Sequence, residues 1–362
     1  NHQVQICLGN VGRFIDDVEC PHAYKYSNLV SIIEKVKNHM RILVTGGAGF
    51  IGSNVTAACH KRGHQVDVVD NLSNGHIEFL LPELLEQDRF FMMDFSDPAL
   101  LERVRSGAYE AVIHLAAVPR VSYSVDYPLE THETNVTNTM RLIEACRGKV
   151  ERFVFASSSS VYGGAETLPT NTLQPKSPKS PYALQKSIIE DYLQMYNSLY
   201  GFDSVSLRFF NVFGPKQLGD SPYSTAVSAW VNAIMKGDSM RSDGDGSQSR
   251  DMCYVDNVVD ACIRSVESKS SLNAVALNVA CGDRTTNREI LEYLLKKFPG
   301  SKYHDAPWRP GDVMHTQADV ALTESVLGYK PIVRFWEGLD KTIEWYQENW
   351  EFIQALNIKG SI

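Results

Sequence analysis

Thr45-Gly46-Gly47-Ala48-Gly49-Phe50-Ile51-Gly52 follows the apolar run Arg41-Ile42-Leu43-Val44-Thr45 and leads into a helical pattern over 50–62 that Gly63 stops. Its glycines fall at 46, 49 and 52. The first permits a tight turn, the second lets the backbone approach a pyrophosphate, and the third allows close packing of the helix, whose N-terminus attracts negative charge. A glycine triplet alone is weak evidence, but here strand, turn and helix are in register. Eighteen residues after Gly52 the next strand ends at Asp70, followed by Asn71. A carboxylate at that point accepts hydrogen bonds from both ribose hydroxyls and repels a 2′-phosphate, so NAD is expected rather than NADP. Asp94, at the end of the following strand, either contacts the adenine or caps the helix that starts near Pro98.

Outward from this turn, short apolar strands alternate with helical patterns. Strands are expected at 41–45, 65–70, 89–93, 111–117, 152–157 and 204–211, and helices at 50–62, 131–146 and 182–199. This alternation predicts an α/β fold, a Rossmann-type doubly wound parallel sheet with a smaller C-terminal substrate-binding domain. The NAD-binding domain is expected over 40–211, with 252–281 returning to it through a helix at 255–267 and a strand at 274–280. Residues 212–251 and 282–362, richer in Gly, Ser, Pro and Asp loops, are assigned to the substrate-binding domain. Residues 1–39 read as an N-terminal extension, with an amphipathic stretch at 29–36; Met40 is either a natural start or the end of a native cap.

The 35 Lys and Arg against 43 Asp and Glu leave a charge of −8, which disfavours a nucleic acid or an anionic membrane as partner. Seven cysteines with no pair closer than four residues signal neither a disulfide framework nor a zinc clip, and the ten histidines show no ligand spacing. No metal is expected. Without a long apolar run or an export signal, the chain is expected to be a soluble cytoplasmic protein.

The chemistry is carried further along. Tyr182 and Lys186 stand four residues apart on a predicted helix and share a face. A phenol is a poor base at neutral pH; an ammonium beside it, together with the positive nicotinamide ring, stabilises the phenolate. Strand 152–157 runs into Ser157-Ser158-Ser159-Ser160 at the carboxyl end of the sheet, where ligands of this architecture bind. Ser158, 24 residues before Tyr182, is the first choice for the hydroxyl that positions a reacting sugar hydroxyl, and Ser159 the second.

With these residues in order, the chain resembles the extended short-chain dehydrogenase/reductase family, and within it the nucleotide-sugar 4-epimerases of the UDP-glucose and UDP-N-acetylglucosamine type. The likeness spans Met40 to about Trp350. It is carried by TGGAGFIG (45–52), DN (70–71), HLAA (114–117), ASSSSVYG (156–163), SPYALQK (180–186), LRFFNVFGP (207–215), DGDGSQSRDMCYVDN (243–257) and RPGDV (309–313). The resemblance implies that Tyr182 takes the proton of the sugar 4-hydroxyl while hydride passes from C4 to NAD, and that the 4-ketose turns over before hydride returns. It assigns to the cofactor Gly46, Gly49, Phe50, Ile51, Gly52, Asp70, Asn71, Ser73, Asn74, Gly75, Asp94, Phe95, Leu115, Ala116, Ala117, Asn135, Ser157, Tyr182, Lys186 and Phe209. To the UDP-sugar it assigns Ser124, Ser158, Tyr182, Asn211, Arg250, Arg309, Asp312 and Thr316. It also implies a homodimer through helices such as 182–199.

A 4,6-dehydratase of this scaffold needs an Asp-Glu pair after its Ser or Thr, where this chain has Ser159 and Ser160; a decarboxylase usually has Glu where Ser160 stands. UDP-glucuronate 4-epimerases share ASSSSVYG and are the nearest rival, against which stands Asn211 where they tend to have Thr. A non-catalytic NAD-binding regulator is a further alternative, disfavoured by the retained Tyr182 and Lys186. Arg250 and Arg309 either clasp the pyrophosphate or pair with Asp251 and Asp312 at the surface. Thr316 matches the position that faces the C2 substituent of the hexose; a Thr leaves room for an acetamido group, so both UDP-N-acetylglucosamine and UDP-glucose are expected as substrates. GDRTT (282–286) resembles the N-acetylhexosamine subgroup, yet Thr286 and Glu289 also fit a capping box. The Asp243-Gly244-Asp245-Gly246 loop reads as a turn supporting Arg250, and His114 as a core residue.

Overall fold

In the computed structural model the described residues are 39–164, 167–220, 224–308 and 313–359. The expected strand–turn–helix unit is present as β1 (Arg41–Thr45) and α1 (Phe50–Lys61). Five further parallel strands complete the core of the sheet: β2 (Gln65–Asp70), β3 (Phe90–Met92), β4 (Ala111–His114), β5 (Arg152–Ser158) and β6 (Ser204–Phe209). After β7 (Asn211–Phe213), β8 (Met240–Asp243), β9 (Ser249–Arg250) and β10 (Met252–Tyr254), the strand β11 (Val275–Val279) returns to pair in parallel with β6. The seven-stranded order is β11-β6-β5-β4-β1-β2-β3, the strands all parallel. The order reverses between β1 and β4, and the crevice beside such a switch point is where this architecture binds ligands.

Alternation along each strand builds two cores. Ile42, Val44, Val68, Ile113, Val154 and Leu207 point to one face, while Leu43, Val69, Val112, Phe153 and Phe155 point to the other. Parallel strands covered on both faces read as continuous apolar runs, which is why they were conspicuous in the sequence. Helix α2 (Pro181–Tyr200) begins at Ser180, whose hydroxyl accepts the Ala183 N–H at 3.2 Å, and ends at Gly201 with φ of 66°. Helix α3 (Val255–Glu267) packs against α1.

Several element boundaries differ from expectation. The strand expected to 117 stops at His114, and the one expected to 211 stops at Phe209 before β7 leaves to pair with β10. The Phe210 N–H bridges the break by donating to Val279 O at 3.1 Å. The helix expected over 131–146 is interrupted by a π-helical turn, Glu133–Asn138, within which Asn135 grips the Val118 backbone at 2.8 Å and 3.0 Å. The helix near Pro98 is capped by Asp97, which accepts the Ala99 N–H, and not by Asp94, which instead accepts from the Ser96 N–H and hydroxyl. At Thr286 the capping box forms as written, with Glu289 closing it. Among the described residues no helix is long and apolar enough to cross a membrane. The residues expected at 1–38, including the stretch 29–36, lie outside the described residues.

Candidate active site

The carboxyl ends of β1, β2, β4, β5 and β6 bring the predicted residues to one edge of the sheet. At the turn after β1, Gly46 has φ of +68°, and a Cβ there would stand 2.7 Å from Ala116 N. A Cβ on Gly52 would stand 2.0 Å from Gly46 O. Both positions therefore need glycine for the backbone to pack this closely at the start of α1, which Gly49 opens without a side-chain cap and with no acidic residue in the first turn. A glycine-rich turn leading into an uncapped helix N-terminus fits a pyrophosphate. Phe50 and Ile51 begin that helix, half-buried.

Beside it Asp70 accepts from Ala48 N at 3.0 Å and Leu72 N at 2.8 Å, with the Gly49 N–H also acting on it. The carboxylate retains a lone pair for a ribose hydroxyl. Burial pushes the Asp70 carboxyl up, opposed by these backbone donors. Asn71, Ser73 and Asn74 are exposed on the following loop, where Asn71 accepts the Ser73 N–H, and Gly75 passes so close that a Cβ would meet the Asp70 carboxylate at 2.8 Å. On the other flank, Leu115, Ala116 and Ala117 are half-buried after β4, Ala116 N reaching Thr45 Oγ1 at 3.3 Å. His114 is a core residue, held between Thr45 Oγ1 at 2.6 Å and Thr139 Oγ1 at 3.0 Å. Burial, followed by the Lys186 charge, lowers it to about 3, so it is neutral.

Tyr182, Lys186 and Ser158 converge. Ser158 ends β5 beside the Tyr182 phenol, whose ionised form it favours. It also accepts from Ser160 N at 3.2 Å and Ser160 Oγ at 2.9 Å, while Ser159 opens the short 3₁₀ turn that follows. Lys186 is buried, donates to Ala156 O at 2.7 Å and lies 4.7 Å from the Phe155 ring centroid and 5.8 Å from that of Tyr182. Burial pushes Tyr182 up to about 12 against the pull of Ser158. Burial lowers Lys186 to about 7, with Glu190 opposing the shift. The phenol therefore rests protonated, and positive charge near it favours its ionised form.

Four of the expected ligand-contact residues also have protein partners for their side chains. Ser124 is fully buried; its hydroxyl accepts the Tyr182 N–H at 3.0 Å and donates to Val121 O at 2.6 Å, so it sets the start of α2. Ser157 donates to Glu190 Oε1 at 2.6 Å. Asn135 is engaged by Val118 and by Gln185 at 2.8 Å. Phe95 packs edge-on against His114, with ring centroids 4.8 Å apart. Phe209 ends β6 opposite Ser158.

A second group gathers outside the sheet. Arg250 on β9 donates through Nη1 to Ser249 O at 3.0 Å and Met314 O at 3.1 Å. Thr316 N donates to Ser249 O at 3.1 Å, and Thr316 Oγ1 accepts the Asp251 N–H at 3.1 Å, so Arg250 and Thr316 adjoin although 66 residues apart. Asp251 faces inward, away from any surface pairing. Its carboxylate takes the N–H groups of Cys281, Gly282 and Ala318 at 2.9–3.0 Å. Asn211 opens β7, half-buried. The loop after β8 is a turn, with Gly244 and Gly246 at φ of 70° and 79° and Asp245 accepting from Ser247. Arg309 and Asp312 lie outside the described residues. No metal-ligand cluster occurs among the described residues.

Reading by motif passes over the buried Glu190 and Arg208, joined by two hydrogen bonds of 2.9 Å and 2.7 Å behind the site. The signal available was the helical spacing, since Glu190 continues the face of Tyr182 and Lys186 by one more turn.

Residues 42–280 match the NAD dependent epimerase/dehydratase family. The chain is 36% identical over 316 residues to the UDP-glucose 4-epimerase of Mycolicibacterium smegmatis, covering 85% of this chain and 99% of that one. It is 32% identical over 328 residues to the UDP-glucuronate 4-epimerase of Thermodesulfobacterium geofontis, covering 87% and 99%. A solved UDP-N-acetylglucosamine 4-epimerase from Methanobrevibacter ruminantium, in complex with UDP-N-acetylmuramic acid, superposes with a TM-score of 0.80 at 34% identity, over 86% of this chain and 99% of the other.

The buried ammonium has a thermodynamic consequence. Because the folded state lowers Lys186 to about 7, the unfolded chain binds its proton more tightly, and stability is lost as pH falls from the ordinary lysine value toward 7. Lys186→Met removes that cost while leaving Ala156 O without its donor. Thermal unfolding of the variant is expected to show Tm raised by roughly 2–4 °C at pH 7 or below, with the gain shrinking as pH climbs.

Proposed function

Since the chain belongs to the NAD-dependent epimerase/dehydratase family, we propose that it is an NAD-dependent UDP-hexose 4-epimerase, acting on UDP-N-acetylglucosamine and UDP-glucose. The observation that carries this is the meeting of Ser158, Tyr182 and Lys186 at the carboxyl edge of the sheet, beside the glycine turn. Gly46, Gly49 and Gly52 would hold the pyrophosphate of NAD, Asp70 its adenosine ribose, and Lys186 the nicotinamide ribose. When bound, NAD supplies a reversible oxidation at C4 of the sugar.

Tyr182 Oη takes the proton from the 4-hydroxyl, and Ser158 Oγ holds that hydroxyl in line. Lys186, with its charge buried beside the ring, lowers the cost of the phenolate. After the 4-keto sugar has turned over to present its other face, the same phenol returns the proton to O4. No acid follows Ser158 to expel a C6 hydroxyl, since Ser159 and Ser160 occupy those positions. The reaction therefore ends in epimerisation.

The solved N-acetylglucosamine enzyme and the glucose enzyme among the relatives support both sugars. Thr316 supports an acetamido group, because it stands next to Arg250, the described arginine we assign to the UDP pyrophosphate. We assign 40–211 and 252–281 to NAD binding, and 212–251 with 282–362 to substrate binding. The outer face of α2 bears exposed Leu184, Met195 and Leu199, with Leu129 nearby 85% exposed; covering them in a homodimer removes apolar surface from water.

Proton NMR of the sugar-ring couplings, with UDP-glucose, UDP-N-acetylglucosamine and UDP-glucuronate offered separately, is expected to show the 4-epimers of the first two without net NADH. Epimerisation of UDP-glucuronate alone would overturn the assignment. Tyr182→Phe should lower kcat about a thousandfold, while NAD released on denaturation stays equal to wild type. Thr316→Tyr should cut kcat/KM for the N-acetyl sugar by about a hundredfold, and for UDP-glucose by less than about threefold. Sedimentation equilibrium should report a mass twice that of the chain.

A further inference from the structure

Helix α2 presents a third member of its catalytic face. Glu190 lies one turn beyond Lys186 and two beyond Tyr182 and is 1% exposed. Its Oε1 accepts from Ser157 Oγ at 2.6 Å and from Arg208 Nε at 2.9 Å, and its Oε2 from Arg208 Nη2 at 2.7 Å. Lys176 Nζ stands 3.7 Å from Oε2 at the rim. Arg208 is in turn anchored by the Tyr162 hydroxyl at 2.8 Å, which donates to Asn278 Oδ1 on β11 at 2.7 Å. One carboxylate thus ties the helix carrying Tyr182 and Lys186 to β6 and, through Ser157, to the end of β5.

That end of β5 is the part of the sheet the chemistry uses. Ala156 O accepts from the Lys186 ammonium, Ser157 Oγ donates to Glu190, and Ser158 meets the Tyr182 phenol, three consecutive residues facing one helix. We propose that Glu190 is a positioning residue of the proton transfer: its carboxylate fixes the β5 end against α2 and sets a negative field under the Lys186 ammonium. This rests on the epimerase reading for what is positioned, and on the geometry alone for the positioning. The titratable and charged groups around Lys186 are Tyr182 and Glu190 from its own helix and neutral His114 from β4, with Arg208 and Lys176 behind Glu190. Glu190 is the one anion among them, and it raises the Lys186 pKa against burial.

Glu190→Gln keeps the size and an oxygen for Ser157 but removes the charge. Lys186 is followed directly in the whole chain by ¹⁵N-lysine NMR, its signal identified by its loss in Lys186→Met. The midpoint of its titration is expected to fall by about one unit in Glu190→Gln. It should stay put in Ser157→Ala, which cuts the tether and keeps the charge. In the epimerase assay both variants should lose about tenfold in kcat with KM within about twofold, and Glu190→Gln alone should shift the alkaline limb of kcat to lower pH. An unmoved Lys186 midpoint in a folded Glu190→Gln protein overturns the electrostatic role. Full kcat in Ser157→Ala overturns the tether. If the midpoint moves while wild type epimerises no UDP-sugar, the epimerase reading falls and the placement of Glu190 stands.

Discussion

The bond from the Lys186 ammonium to the Ala156 carbonyl, 2.7 Å long and out of reach of water, sets the register between α2 and β5. A buried ammonium is stable only against acceptors placed for it, so helix and strand cannot slide past one another without stranding a charge. Once that register holds, the helical repeat does the rest. Tyr182, one turn earlier, meets Ser158, and Glu190, one turn later, meets Ser157. The helix is steadied at its start by the Ser180 cap and by Ser124, which takes the Tyr182 N–H. Catalytic geometry here follows from one charge that must be satisfied.

Most of the sheet was legible before any coordinates because its strands are buried on both faces, and such strands read as uninterrupted apolar runs bounded by turns. The glycine turn was legible for a sharper reason. At Gly46 and Gly52 any Cβ would collide with backbone, so the residue type itself reports the close approach. Boundaries were legible only where local chemistry sets them, as at Ser180 and Gly201. They were missed where distant groups intervene: Asn135 draws a turn of helix into π geometry through Val118 and Gln185, and Phe210 spends its N–H on β11.

The site divides in the same way. Tyr182, Lys186 and Ser158 were found because spacing along one helix and one strand end is a local quantity. Ser124, Ser157 and Asn135 sit where the family pattern puts ligand contacts, and each also has a protein partner 33 to 58 residues away in the chain. No local pattern announces such partners. Asp251 makes the point by contrast: beside Arg250 it reads as an ion pair, but it turns inward to gather three backbone N–H groups from two other segments.

Net charge is the property that says least about the ligand. Residues 1–39 hold four basic and four acidic side chains, so the whole −8 belongs to 40–362. Most of that charge lies at the surface, where salt screens it within about 8 Å at physiological ionic strength. Inside the cleft, screening is weak and local placement decides. There α1 starts without a side-chain cap and Lys186 is buried against Ala156 O; outside the sheet Arg250 adds a guanidinium whose Nη1 is pinned by two carbonyls. Groups held by the protein's own hydrogen bonds are fixed before any ligand arrives, so their reorganisation costs little on binding.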